Sequence, residues 1–151
     1  MKEGGFVRRR KDAFKNLKKY EMKELSDVEM FKSLLNLEME GAYIDLHNDY
    51  DCHNVLYDFE EQYLKLFFAG DKSLILEFRD VVITKLNLQL QETSGRGTLN
   101  SFYRGRFEIN GTLYEASEEG RRYFYLEFEG GDALELYAND VFLFEEDEPI
   151  K

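Results

Sequence analysis

The chain has 151 residues, of which 43% are hydrophobic and only one is proline, so its composition predicts one packed domain and excludes a disordered protein. The formal net charge of −11 disfavours binding to a nucleic-acid backbone, and the single cysteine, Cys52, excludes an internal disulfide. No apolar run approaches the roughly 18 residues of a membrane span, and the first residues lack the apolar segment of a secretory signal, so we expect a cytoplasmic protein without membrane contact.

Residues 1–25 are predicted to form a basic N-terminal arm or a frayed helix. They hold nine Lys or Arg against four acids, interspersed with Phe6, Phe14, Leu17 and Tyr20. Such an arm suits anionic lipid or nucleic acid, and it equally suits the acidic body of the protein itself. We favour a frayed terminus or a helix that pairs with the protein's own acidic body.

A helix is predicted over Ser26 to Glu40. Ser26 to Glu29 matches a capping box, which satisfies amide groups at the start of a helix. Val28, Phe31, Leu34 and Leu35 follow at the spacing of one apolar stripe, and Gly41 suits the C-terminal stop. We expect this stripe to pack on a sheet.

The rest of the chain, residues 26–151, is predicted to be one β-rich domain that carries an internal repeat. Residues 63–83 and 123–143 align without a gap, and they share Gly70 with Gly130 and Asp80 with Asp140. Each copy reads as strand, hairpin, strand, bend and strand. The fold class is therefore mainly β (α+β), an antiparallel sandwich or partly open barrel built from a duplicated hairpin-plus-strand unit, with one or two N-terminal helices.

Two local features are predicted in the strands that follow. Apolar residues fall on odd-numbered positions up to Ile83 and on even-numbered positions from Leu86. A β-bulge near Thr84 explains this change. Asn110 and Gly111 accept the positive φ angles of a type I′ turn, so a hairpin is expected there.

The stretch HNDYDCH gathers His47, Cys52 and His53 within seven residues. All three residue types ligate zinc, but tight zinc sites draw ligands from two segments and no second segment supplies His or Cys, so we predict no metal. A Cys/His dyad also needs His47 opposite Cys52 in a hairpin. We favour polar turn residues beside a buried thiol, and the chain contains no phosphate-loop, dinucleotide, serine-hydrolase or zinc-protease motif. No cofactor is expected.

The second half of the chain is strongly acidic. Between Glu115 and Glu148 twelve acids face only Arg121 and Arg122. Such a surface attracts a basic partner, although acids also keep sheet edges soluble. The candidate binding residues are Glu118, Glu119, Glu127 and Glu135.

HNDYDCHNVLYDF, followed by YLKLFF and LEFRDVVI, resembles small acidic β-rich bacterial proteins, some of them immunity proteins of toxin systems. This resemblance spans about Tyr43 to Val82 and implies a cytoplasmic protein that neutralises a toxin by binding it. It assigns no functional residue.

The sequence therefore predicts a non-catalytic protein-binding domain that uses an acidic face to bind a basic protein. Two alternatives stay open. One is a β-barrel that binds a small ligand, and the other is an enzyme that uses the region of His47, Cys52 and His53.

Overall fold

The computed structural model describes residues 23–25, 28–39, 42–88, 97–105, 108–110, 112–113 and 120–146. Within these residues the chain forms strands and no helix. The strands are β1 (Lys23–Glu24), β2 (Asn36–Met39), β3 (Ala42–Asp45), β4 (Asp51–Asp58), β5 (Tyr63–Ala69), β6 (Ser73–Arg79), β7 (Val82–Asn87), β8 (Leu99–Arg104), β9 (Glu108–Ile109), β10 (Thr112–Leu113), β11 (Arg122–Phe128), β12 (Ala133–Ala138) and β13 (Asp140–Glu146).

Two antiparallel sheets build a sandwich-like fold. Sheet I has the order β1-β13-β6-β5-β4, and sheet II has the order β7-β12-β11-β8. Two short hairpins, β2-β3 and β9-β10, complete the described strands. Alternate side chains of both sheets enter one hydrophobic core, which includes Leu66 and Leu76 from sheet I and Leu126 and Leu136 from sheet II.

Each copy of the sequence repeat contains a hairpin followed by a third strand, and the third strands are exchanged between the sheets. The first copy comprises β5, β6 and β7, and the second comprises β11, β12 and β13. β7 leaves its own hairpin and pairs with β12, while β13 leaves its own hairpin and pairs with β6. Each sheet thus contains the last strand of the other copy. Because a hairpin alone cannot bury its apolar face, this exchange ties the two halves into one core.

The bends that carry the exchanged strands meet each other. Asp80, between β6 and β7, has a left-handed φ of 57°. Its carboxylate accepts a hydrogen bond from the side chain of Asn139, which lies at the corresponding bend between β12 and β13, and another from Arg121 Nη2 at 3.0 Å. The amide of Asn139 donates to the carbonyl of Arg79 at 3.0 Å. These contacts satisfy the polar groups that the two bends leave without strand partners.

The bulge and the hairpin predicted from the sequence are both present. Lys85 lies opposite Glu135 and Ile83 lies opposite Leu136, so Thr84 is the extra residue. Its hydroxyl donates to the carbonyl of Glu135 at 3.1 Å. In the hairpin, β9 and β10 pair on either side of Asn110, whose φ is 53°.

The helix predicted over Ser26 to Glu40 is wrong. Residues 28–35 run beside β8, where the amide of Phe31 donates to the carbonyl of Arg104 and that of Leu34 to the carbonyl of Phe102, both at 2.7 Å. Phe31 has a φ of 65°, which a helix does not allow, and residues 36–39 form β2. Pairing with the open edge of β8 overrides the local helical pattern. Ser26, Asp27 and Glu40 lie outside the described residues.

The boundary predicted for the basic arm falls inside sheet I. Residues 1–22 lie outside the described residues, whereas Lys23 and Glu24 form β1 beside β13. Leu25 is buried in the core, and its amide donates to the carbonyl of Val141 at 2.7 Å. Lys23 and Glu24 of the proposed arm therefore belong to the sheet, and Leu25 belongs to the core.

Candidate protein-binding face

The outer side of sheet II carries a cluster of tyrosines and glutamates. Side chains alternate across a strand, and Phe124, Leu126 and Phe128 of β11 point into the core with at most 1% exposure. Their neighbours must point outward, and the same holds for the strands on either side. We call this surface the tyrosine–glutamate face, and it consists of Tyr103, Tyr123, Tyr125, Tyr137, Glu127 and Glu135.

The rings of this face are arranged in two cross-strand pairs. Tyr103 and Tyr125 lie directly opposite each other, with their centroids 5.2 Å apart and a tilt of 32°. Tyr123 and Tyr137 form an edge-on pair, also at 5.2 Å. Phe31 extends the first row, with its ring 5.5 Å from that of Tyr103. Tyr103 and Tyr125 remain half-buried, whereas Tyr123 and Tyr137 are buried.

Two carboxylates give the face a negative potential. Burial raises the pKa of Tyr103 above its usual value, and the charges of Glu127 and Glu135 raise it further. Burial likewise raises the pKa of Tyr125, with the Glu127 charge as the next cause. Burial, the larger cause of both shifts, disfavours any charge, whereas the charges of Glu127 and Glu135 disfavour an anion and attract a cation.

Glu135 is held in position by its neighbours. Its Oε1 accepts a hydrogen bond from the hydroxyl of Tyr123, and its Oε2 lies 3.8 Å from Lys85 Nζ. The side chain is 21% exposed, so one carboxylate edge is fixed while the group remains accessible. Glu127 is half-buried on the neighbouring strand.

The structure distributes the acidic stretch over several environments. Glu127 and Glu135 lie on the tyrosine–glutamate face, while Glu118 and Glu119 fall outside the described residues. Two other acids of the stretch are buried, Asp132 at 4% exposure and Glu145 at 5%, and Glu145 pairs with Lys72 at 2.8 Å. The twelve acids counted in the sequence therefore do not all contribute to one surface.

His47, Cys52 and His53 are placed differently from one another. His47 Nδ1 lies 2.8 Å from the carbonyl of Leu99, in a turn that follows β3. Cys52 is buried opposite Phe68, and its thiol donates to the carbonyl of Asn54 at 3.6 Å. His53 is exposed at a bulge in β4.

This arrangement does not produce the hairpin on which a Cys/His dyad depends. The cross-strand partner of Cys52 is Phe68 of β5 rather than His47. Burial raises the pKa of the Cys52 thiol to about 12, so the thiol stays protonated and non-nucleophilic at neutral pH. Among the described residues, no group of three or more His, Cys, Asp or Glu side chains is placed to hold a metal ion.

The strand that alternates aromatic residues with arginine also separates into two sides. Phe102 is buried in the core, and Arg104 Nη1 donates to the carbonyl of Val28 at 2.9 Å. Tyr103 lies on the outer face, and Arg106 and Phe107 lie outside the described residues.

The sequence analysis named Glu127 and Glu135, which lie on this face, but none of its tyrosines. The sequence does contain a pattern that indicates them. Tyr123, Tyr125 and Glu127 alternate with the apolar residues Phe124, Leu126 and Phe128, so they are expected on the opposite side of the strand. Tyr103 joins them only through the pairing of β8 with β11.

Comparison of the chain with protein-family models, with curated proteins and with solved structures finds no match in any of the three. In the part of the chain that the structure describes, no helix is long and apolar enough to cross a membrane. In the residues that the structure describes, the chain is thus an all-β, sandwich-like protein whose two larger sheets exchange third strands.

Proposed function

We propose that the protein is a non-catalytic binding protein, of the immunity type, whose tyrosine–glutamate face takes a basic segment of a protein partner. The observation that carries the proposal is the half-buried pair of Tyr103 and Tyr125, 5.2 Å apart and adjoining Glu127 and Glu135. A cytoplasmic location belongs to the same proposal, and the free buried thiol of Cys52 is compatible with it.

The chemistry of the face suits an arginine or lysine side chain. A cation over a tyrosine ring gains about 0.5–1 kcal/mol at an exposed site and about 2 kcal/mol when water is excluded. Glutamates at the rim steer a basic partner and fix its orientation. Tyrosine is also enriched among the residues that dominate binding energy in protein interfaces.

The alternative of a small-ligand barrel has less support because the interior is filled with side chains. Phe78 of sheet I contacts the rings of Phe102 and Phe124 at centroid distances of 6.1 and 5.7 Å. All three side chains are at most 1% exposed. A ligand at this position has to displace a well-packed aromatic cluster.

An affinity pull-down from the source organism tests the proposal. The wild type and two charge-reversal variants, Glu127→Lys and Glu60→Lys, are compared at low and high salt. Glu60 is exposed in the turn between β4 and β5 of sheet I, so its reversal changes the net charge equally without touching the face. We expect a basic protein to be retained by the wild type and by Glu60→Lys, and to be lost with Glu127→Lys.

Association kinetics with the recovered partner sharpen the test. The association rate should fall between 0.1 M and 1 M salt, where the Debye length shrinks from about 10 Å to about 3 Å. Tyr125→Ala should weaken affinity about tenfold or more, whereas Tyr43→Ala, at a residue 63% exposed on β3, should change it less than twofold. Equal binding by Glu127→Lys and wild type, or a co-purifying small molecule with no protein partner, would refute the proposal.

A further inference from the structure

A glutamate with a lysine directly opposite it occurs in both of the larger sheets, on the side of the strand that points away from the core. In sheet I, Glu77 lies opposite Lys65, whose Nζ is 3.8 Å from Glu77 Oε1. In sheet II, Glu135 lies opposite Lys85, whose Nζ is 3.8 Å from Glu135 Oε2. This separation is within ion-pair range but too long for a hydrogen bond, so neither lysine donates to the oxygen that it approaches.

In sheet I an arginine completes the arrangement. Arg79 Nε donates to Glu77 Oε2 at 2.6 Å. The Arg79 guanidinium also lies over the ring of Phe142 at 4.4 Å and over that of Tyr63 at 5.6 Å. A planar guanidinium can stack on a ring while it donates to a carboxylate, whereas an ammonium acts as a compact, strongly hydrated point charge. The chain itself therefore shows which cation fits a carboxylate beside aromatic rings on a sheet of this kind.

Sheet II has the carboxylate and the rings but not the arginine. Glu135 lies directly opposite Tyr125, which in turn lies opposite Tyr103. Among the described residues, no arginine pairs with Glu135 or lies over the rings of Tyr103 and Tyr125. In the second copy of the repeat, Asn139 occupies the position of Arg79. The Glu135 side chain is 21% exposed and both tyrosines are half-buried, so a cation from another molecule can reach them.

We propose that the tyrosine–glutamate face binds an arginine, rather than a lysine, of its partner, an inference that rests on the function proposed above. The guanidinium stacks on Tyr125 and donates to Glu135 Oε2. Within the described part of the chain this oxygen accepts no hydrogen bond, whereas Oε1 accepts one from Tyr123. Lys85 repels any incoming cation, but the guanidinium offsets this repulsion with a hydrogen bond and a ring contact that Lys85 does not make.

Two short peptides of equal charge test the selectivity. Acetylated and amidated Gly-Arg-Gly and Gly-Lys-Gly are titrated at low salt into the isotope-labelled full-length chain, and the amide shifts of Tyr103, Tyr125 and Glu135 report binding. We expect the arginine peptide to bind there about fivefold or more tightly than the lysine peptide. Equal affinities at these residues overturn the arginine inference but leave the basic-partner function standing. Shifts there with neither peptide overturn both.

Two variants assign the selectivity to the side chains named. Tyr125→Leu keeps an apolar side chain but removes the ring, and Glu135→Gln keeps the shape but removes the charge. In each variant we expect the preference for the arginine peptide to fall below about twofold. A preference of wild-type size in both variants places the arginine elsewhere and overturns the proposal.

Lys85 provides a test in the opposite direction, because it competes with the incoming cation for Glu135 Oε2. Lys85→Gln should tighten the binding of both peptides about twofold or more and retain the arginine preference. The matched control, Lys72→Gln, removes the same charge from a side chain 48% exposed in the turn between β5 and β6, and should change both affinities less than about twofold. No change in Lys85→Gln, or an equal change in the two variants, shows that the cation does not bind at Glu135.

Discussion

Asp80 and Asp140 occupy equivalent positions in the repeat, but the structure predicts very different costs for replacing them with Ala. Asp80 lies at a bend with a left-handed φ of 57° and binds both Asn139 and Arg121. Asp140 is the first residue of β13, opposite Arg79, with an ordinary strand backbone. The pair therefore serves as its own control, with the same chemical change at two bends.

The cost of Asp80→Ala has three parts. Alanine in a left-handed conformation costs about 1 kcal/mol, and the lost hydrogen bond from Asn139 costs about 1 kcal/mol. The Asp80 side chain is 37% exposed, so its ion pair with Arg121 contributes at most about 1 kcal/mol. The expected total is therefore at most about 3 kcal/mol of unfolding free energy. Asp140→Ala should stay within about 0.5 kcal/mol of the wild type.

Thermal and urea denaturation measure the difference. For a chain of 151 residues, about 3 kcal/mol corresponds to a decrease in Tm of about 6–12 °C. Asp80→Gly should fall between Ala and the wild type, because glycine adopts the backbone conformation but makes no side-chain bond. Equal losses for Asp80→Ala and Asp140→Ala, or a Gly variant as unstable as Ala, would show that the bend contacts do not stabilise the fold as described.

Three further predictions concern the core and the Cys/His region. Phe78→Ala should lower the unfolding free energy by about 3–5 kcal/mol in urea titrations, whereas Phe59→Ala, at a residue 82% exposed, should change it by less than about 0.5 kcal/mol; similar losses would mean that the sheet I core is misassigned. The Cys52 thiol should resist alkylation at pH 8 until the protein unfolds, since burial raises its pKa from 9.0 to about 12. Rapid alkylation of the folded protein would contradict the burial of this thiol. The folded state holds the Cys52 proton more tightly than the unfolded state, so the contribution of this group to the unfolding free energy is full below pH 9 and declines as pH rises toward 12. Elemental analysis of protein purified without a metal-affinity tag should find no stoichiometric zinc, and zinc that disappears in His53→Ala would reverse that expectation.

The nearby sequence was enough to predict a structural feature wherever that feature depends on residues only a few positions apart. The period of two in Leu64, Leu66 and Phe68 marks an amphipathic strand, and these residues are buried in β5 as the alternation requires. The parity shift after Ile83 identified the bulge at Thr84, because one extra residue exchanges the faces of everything beyond it. The positive φ at Asn110 follows from the tolerance of asparagine for that conformation.

Residues 28–39 show where local pattern was insufficient. Their apolar spacing fits a helix, yet Phe31 and Leu34 form hydrogen bonds along the edge of β8, which lies about 70 residues further along the chain. An amphipathic stripe can bury its apolar side chains in either conformation. The conformation adopted depends on whether a sheet edge with unpaired groups lies beside the segment.

The repeat itself shows the boundary between the two kinds of information. From the sequence alone, each copy is a hairpin followed by a bend and a third strand, and the two copies must share a core because neither buries its own apolar face. Which hairpin the third strand joins was decided only in three dimensions, where β7 pairs with β12 and β13 pairs with β6. The tyrosine–glutamate face arises in the same way, since strand pairing brings Tyr103 beside Tyr125 and Glu135. Local sequence determines the period and the turns of a strand, but its neighbours are chosen by long-range hydrogen bonding and by the fit of side chains in the shared core.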